Sequence, residues 1–171
     1  LFVYKNDHVV PLRGNIQTRI VKIKANNWNG AIFAQAGLER LSTDPTIYTP
    51  VDWMIPAPAQ GAILVTTRAE DTKLLGNIKP LSHLATQDCV QAERDFLRAL
   101  QGGCSAPIGA HASIHNNRIS FVGSVTATDG SQHIEIRESY DRQDPDIGKQ
   151  AAEILVRKGG KQVLDKLKSH E

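Results

Sequence analysis

Two pairs of turn-forming residues dominate the second half of the chain. Asn116-Asn117 and Asp129-Gly130 separate three extended runs, at roughly 108–114, 118–126 and 132–138. Asn, Asp and Gly accept the positive φ angles that tight hairpin turns require. Because apolar and polar residues alternate in these runs, the sheet should have one buried face. The pattern predicts a small three-stranded antiparallel sheet.

Predicted helices flank these three strands. An amphipathic helix is predicted over 84–101, and two further helices at about 145–158 and 161–169, with Gly159-Gly160 between them. The charged residues of the first helix are expected mainly on its solvent side, and they are Glu93, Arg94, Asp95 and Arg98. Helices packed on one face of the sheet would complete an α+β domain.

The first 41 residues have a different pattern. Strand-like runs at 8–13 and 31–34 alternate with helix-like runs at about 16–25 and from 36 to 41. An alternation of strand, helix, strand and helix is typical of a parallel sheet. The sequence therefore predicts an α/β piece that precedes the α+β domain.

Proline residues interrupt this pattern between Ser42 and Pro58. Such a stretch favours a loop or an inter-domain crossing with extended backbone. Residues 60–68 again have the composition of a strand, and the polar stretch 70–80 that follows ends in Lys79-Pro80, a candidate domain boundary.

Charge and cysteine content narrow the classes of partner. A formal net charge of +2 is too small to indicate nucleic acid, and apolar runs such as 61–65 are too short to span a bilayer. The only two cysteines, Cys89 and Cys104, are separated by a predicted helix that would hold them too far apart for a disulfide. Reduced thiols in a cytoplasmic protein are expected.

Arg13 and Arg19 flank the start of the helix predicted after Gly14-Asn15. Helix N-termini attract anions, and guanidinium groups bind carboxylates or phosphates in a bidentate manner. The pattern therefore predicts an anion site. The alternative is that both arginines are surface groups that pair with nearby acidic residues.

Three further features leave their roles open. Gln60 could donate a hydrogen bond to a ligand or could lie in a plain solvated turn. Cys104 follows Gly102-Gly103 at a helix end, where it could be inert packing, a redox thiol or an attachment point. No metal site is predicted, because no co-ligands at metal spacing accompany the histidines of the second half, which are His111, His115 and His133.

Four motifs occur in a fixed order along the chain. They are Leu12-Arg13-Gly14-Asn15, Ala36-Gly37-Leu38, Pro56-Ala57 through Gln60-Gly61-Ala62, and Glu93-Arg94 through Leu100-Gln101-Gly102-Gly103-Cys104-Ser105-Ala106-Pro107-Ile108-Gly109. In this order the chain resembles the porphobilinogen deaminase (hydroxymethylbilane synthase) family over essentially its whole length. One departure is Ala59, which stands where many members have glycine.

The resemblance implies a domain map. Members have two domains similar to periplasmic binding proteins and a small α+β third domain. Residues 1–56 would be the later part of domain 2, residues 57–80 a crossover strand and helix that return to domain 1, and residues 81–171 domain 3.

The resemblance also implies a function in tetrapyrrole and heme biosynthesis. The family's transferase polymerises porphobilinogen into the linear tetrapyrrole hydroxymethylbilane, releasing ammonia, on a dipyrromethane cofactor that a cysteine holds through a thioether. Cys104 matches that cysteine, and Arg13 and Arg19 match arginines that hold the pyrrole carboxylates. Ala34, Gly37 and Gln60 match positions that line the substrate cleft.

The family's catalytic aspartate lies in an N-terminal region that these 171 residues lack. We therefore expect the chain alone to be inactive and to need the N-terminal domain as its partner within a monomeric full-length enzyme. Neither nucleic acid nor a membrane is an expected partner. An alternative from another class is a non-catalytic anion-binding α/β module fused to an α+β interaction domain.

Overall fold

The computed structural model describes residues 2–101 and 107–168. The helices and strands, numbered in chain order, are α1 (Ile16–Ala25), α2 (Gln35–Arg40), α3 (Thr72–Ile78), α4 (Leu84–Ala99), β1 (Ile108–His115), β2 (Arg118–Thr126), β3 (His133–Asp141), α5 (Ile147–Leu155) and α6 (Lys161–Lys168). Short 3₁₀ turns occupy Pro45–Ile47 and Lys79–Leu81, and a π-helical turn occupies Val156–Gly160. The chain divides into two compact units, Asn6–Met54 and a second unit formed by Leu1–Lys5 with Ile55–Glu171.

The sheet of the second unit is the predicted antiparallel one. Its strand order is β1-β2-β3, and both neighbouring pairs are antiparallel. Asn116 and Asn117 join β1 to β2 with φ angles of 49° and 59°, and Gly130 in the next connection has a φ of 72°. These left-handed angles are those that the turn pairs predicted. The three-stranded sheet is therefore confirmed, with β3 running to Asp141 rather than to Glu138.

One face of this sheet is covered by α4 and α5, and α6 adds residues to the same core. Phe96 of α4 and Phe121 of β2 are fully buried and meet edge to face with ring centroids 5.2 Å apart. Edge-to-face contacts are a favoured geometry for aromatic pairs. The predicted helices on one face of the sheet are confirmed, and Gly159, with a φ of 105°, lies at the kink between the last two.

The unit Asn6–Met54 contains α1 and α2, which confirm the two predicted helices. Asn15 caps α1, because its side-chain oxygen accepts a hydrogen bond of 2.8 Å from the Thr18 amide. Gly37 of α2 lies against the Ile16 side chain of α1, where a Cβ would overlap the Ile16 methyl group.

The described residues do not form the predicted parallel sheet. Residues 8–13, 31–34 and 60–68 are not strands, and the antiparallel sheet is the only sheet within 2–101 and 107–168. A strand exists only where a neighbouring strand pairs with its backbone, and the described residues supply none here. Apolar side chains consequently remain exposed, with Ile32 at 65% and Ile63 at 89%.

Within the described part of the chain, no helix combines the length and the apolar character needed to cross a membrane.

Candidate functional site

Three cationic residues are associated with the start of α1, and we call them the basic cluster: Arg13 precedes the helix, and the Arg19 and Lys22 side chains reach back to its start. The Arg19 Nε donates to the Gly14 carbonyl at 2.8 Å, and the Lys22 Nζ donates to the Arg13 carbonyl at 3.0 Å. Both side chains therefore fold back toward the start of the helix. Sequence reasoning missed Lys22, although it lies three residues after Arg19 and thus on the same helix face.

Acidic partners are missing around the basic cluster. None of its three side chains forms an ion pair with a carboxylate among residues 2–101 and 107–168. Arg13 is exposed, as the alternative of surface arginines expects, but the pairing with local acids that this alternative includes is not present among the described residues. Helix N-termini and unpaired guanidinium groups both attract anions, so the cluster has the chemistry of a carboxylate or phosphate receptor.

Ala34 and Gly37 lie in the same unit as the basic cluster. Ala34 is the N-terminal cap of α2, and its carbonyl accepts from the Gly37 amide at 3.0 Å. Gly37 packs against Ile16, but a Cβ on Gly37 would overlap only the Cδ1 methyl group at the end of the Ile16 side chain, which can rotate away.

Gln60 lies in the other unit, exposed in the tight turn formed by residues 57–62, which we call the crossover turn. The Gln60 amide donates to the Ala57 carbonyl at 3.0 Å, and the Ala62 amide donates to the Ala59 carbonyl at 3.2 Å. Ala59 has a left-handed φ of 62°, and Gly61 has a φ of 86°.

Glu93 of α4 is a functional candidate that sequence reasoning placed wrongly. It was expected mainly on the solvent side of its helix, yet only 6% of the residue is exposed. Its Oε2 accepts from the Ala59 amide at 2.7 Å, and its Oε1 accepts from the Ala112 amide at 2.8 Å. The helical pattern gave no sign of this, because the two donors belong to backbone 34 and 19 residues away.

A cleft of about 380 Å³ lies between the crossover turn, α4 and β1. Gln60, Cys89, Glu93 and His111 are among its lining residues. Burial, together with the carboxylates of Glu93 and Asp88, raises the pKa of the Cys89 thiol. Because the thiolate is the nucleophile, a raised pKa makes Cys89 less reactive at neutral pH.

The chain leaves α4 through Gln101, whose φ is 55°. Cys104 comes three positions later and lies outside the described residues, as does the rest of 102–106. Cys89 is the one cysteine that the structure describes. Within that described part, no three His, Cys, Asp or Glu side chains gather as a metal site would require.

Two family models match the chain. The model described as "Porphobilinogen deaminase, dipyromethane cofactor binding domain" matches residues 2–76, which include the basic cluster and Gln60. The model described as "Porphobilinogen deaminase, C-terminal domain" matches residues 87–157, which include Glu93 and Cys104.

Curated relatives carry the same family name. The porphobilinogen deaminase of Carboxydothermus hydrogenoformans is 37% identical over 162 residues, which are 93% of this chain and 52% of the relative. Those of Brevibacillus brevis and Staphylococcus carnosus are 40% and 35% identical, each over 96% of this chain and 54% of the relative. The chain thus spans about half the length of these relatives. Since both matched models and these relatives agree along almost the entire sequence, the chain belongs to the porphobilinogen deaminase family.

Proposed function

We propose that this chain is part of a transferase that polymerises porphobilinogen into hydroxymethylbilane. The match of residues 2–76 to a family domain described as binding the dipyromethane cofactor carries this proposal. In the proposed reaction each porphobilinogen loses ammonia while its methylene carbon bonds to a free pyrrole α-carbon, which gives up its proton. The family matches do not favour the alternative, a non-catalytic anion-binding module fused to an interaction domain.

The basic cluster fits the pyrrole units of this chemistry. Porphobilinogen and the growing chain carry acetate and propionate groups, which are carboxylates at neutral pH. Arg13 and Arg19 would bind them through charge-assisted hydrogen bonds, and Lys22 would add a third positive charge at the same helix end. Ala34, Gly37 and Gln60 are proposed to line the substrate cleft, as their family positions suggest.

Cys104 is proposed to hold the dipyrromethane cofactor through a thioether. When bound, that group supplies the primer to which pyrrole units are added. The raised pKa of Cys89 argues against this second cysteine as the attachment point. Forming the thioether needs a nucleophilic sulfur, and a raised pKa keeps the Cys89 thiol protonated and less nucleophilic.

The domain map of the family is also a proposal for this chain. Residues 1–56 would belong to domain 2, residues 57–80 would return to domain 1, and residues 81–171 would form domain 3. The exposed apolar runs at 31–34 and 60–68 support strands that pair only within the full-length enzyme, in domains resembling periplasmic binding proteins. A monomeric, cytoplasmic enzyme stays a prediction of the resemblance.

The first test is the intact mass of the full-length protein. We expect wild-type protein to carry a covalent adduct with the mass of two pyrrole units, and Cys104→Ser to lose the adduct completely, because serine offers no sulfur for the thioether. Cys89→Ser is the matched control and should keep the adduct. An adduct that survives Cys104→Ser, or disappears in Cys89→Ser, would refute the assignment.

A second test uses the 171 residues by themselves. We expect no hydroxymethylbilane from porphobilinogen, because these residues span only about half the length of the relatives, and we propose that the other half supplies the carboxylate used at the reacting pyrrole. Full-length protein assayed at the same concentration is the control. Bilane formation by the isolated chain at a rate near that of the control would show this expectation to be wrong.

A further inference from the structure

Strand β1 forms one edge of the sheet, since it pairs with β2 on one side only. Alternate N–H groups of an edge strand point away from the sheet and need other partners. On β1 the Ala110 amide donates to the Pro56 carbonyl at 2.9 Å, and the Ala112 amide donates to Glu93 at 2.8 Å. Two outward-facing amides of this edge strand are thus bound, one by the Pro56 carbonyl just before the crossover turn and the other by the Glu93 carboxylate.

The Glu93 carboxylate uses both of its oxygen atoms on backbone donors from two different segments. One oxygen binds the Ala59 amide of the crossover turn and the other binds the Ala112 amide of β1. Within the described residues neither Lys nor Arg pairs with it, and the partly exposed His111 ring nitrogen lies 3.9 Å away. A buried carboxylate needs such donors, so its position and that of the two segments depend on one another.

The crossover turn has a shape that its sequence does not favour. Ala59 is left-handed with a φ of 62°, a conformation in which the Cβ of an L-residue is crowded. The Ala59 amide is the group that Glu93 accepts from, and Gln60 is the next residue. Glu93 therefore stabilises the turn at Ala59, the residue whose backbone conformation is unfavourable for its type.

We propose that Glu93 is a positioning residue for Gln60. Its carboxylate ties the crossover turn to β1, so that Gln60 is presented at a fixed place along the cleft that both line. The proposal rests on the proposed function, in which Gln60 contacts substrate. Glu93 accepts from the amide of the residue that precedes Gln60, so we expect the effects of the two residues on substrate binding to be coupled.

Amide hydrogen exchange on this chain tests the structural half of the proposal independently of activity. Glu93→Gln keeps the size of the side chain but replaces one acceptor oxygen by an NH₂ group. We expect exchange at the Ala59 or Ala112 amide to accelerate about tenfold or more, because one donor loses its partner. Glu153→Gln, at an exposed position of α5, is the matched control and should change neither amide. Unchanged exchange at both amides in Glu93→Gln would overturn the proposal.

Steady-state kinetics of the full-length enzyme test the functional half. We expect Glu93→Gln and Gln60→Ala each to raise KM about tenfold with a smaller effect on kcat, and the double variant to be no worse than the more severe single one. A merely structural Glu93 would leave KM unchanged below the unfolding temperature. Fully additive effects on KM would likewise overturn the proposal. A wild-type enzyme with neither adduct nor bilane formation would instead refute the proposed function, while the exchange result would still decide whether Glu93 holds the turn.

Discussion

Replacing Gly148 with alanine is expected to destabilise the unit that contains the sheet by about 3 kcal/mol or more, at or above the upper end of ordinary overpacking. A Cβ on Gly148 would overlap the Ala92 carbonyl oxygen and lie 2.5 Å from the Phe96 amide nitrogen. Both atoms belong to the backbone of α4 and cannot turn aside as a side chain would. Alanine also gains about 1 kcal/mol of helix propensity over glycine, but that gain is smaller than the cost of separating α4 from α5.

Gly76→Ala is the matched control for this substitution. Gly76 also lies in a helix, α3, and a Cβ there would meet nothing within 4 Å. Its replacement should leave stability unchanged or raise it by about 0.5–1 kcal/mol. Denaturant unfolding followed by circular dichroism gives both free energies. Equal stabilities of Gly148→Ala and Gly76→Ala would show that the two helices do not approach as closely as described.

The second large effect is expected at the centre of the core. Phe96→Ala should lower the free energy of unfolding by about 3–5 kcal/mol, because it removes a fully buried ring and its contact with Phe121. The matched control is Phe2→Ala. Phe2 is 41% exposed and stacks on His133, so its loss should cost about 1 kcal/mol or less.

Gly123 offers an internal check on the Phe96 prediction. A Cβ on Gly123 would lie 2.6 Å from the Phe96 ring, so Gly123→Ala should destabilise the protein on its own. In the Phe96→Ala background that ring is gone, and the added methyl group would face the cavity, with the Phe121 ring still 3.0 Å away. The two substitutions should therefore be strongly non-additive. If the losses of unfolding free energy caused by the two substitutions simply add in the double variant, the close packing of Gly123 against the Phe96 ring is contradicted.

The antiparallel sheet could be predicted from the sequence because its determinants are local. Asn116-Asn117 and Gly130 set the backbone angles of their own turns, and the flanking residues alternate without reference to distant parts of the chain. Whether the parallel sheet forms could not be predicted from local sequence. Residues 31–34 and 60–68 have strand composition, but a strand forms only when a partner is present, and composition does not reveal which residues supply it.

In the candidate site, too, the features set by neighbouring residues could be predicted and those that depend on distant residues could not. Helix periodicity and the capping residue Asn15 predicted a helix start between Arg13 and Arg19, and α1 begins at Ile16. The buried position of Glu93 could not be predicted, because its partners are the backbone amides of Ala59 and Ala112. Every residue except proline has such an amide, so the sequence does not indicate which ones will bind a carboxylate. For Cys104 the local chemistry left several roles open, and only the order of neighbouring motifs favoured cofactor attachment.

The exposed run at 62–67 also affects how readily this chain aggregates. Ala-Ile-Leu-Val-Thr-Thr contains no charge and no proline, and Ile63, Leu64 and Val65 are 89%, 71% and 58% exposed. Short uncharged segments of this kind stack into intermolecular cross-β structure when nothing covers them. Arg68 follows this run directly and Glu70 comes two positions later, and charged residues at such places oppose this stacking. An uncharged, exposed run of this composition is therefore the segment of the chain most prone to intermolecular strand pairing among those named here.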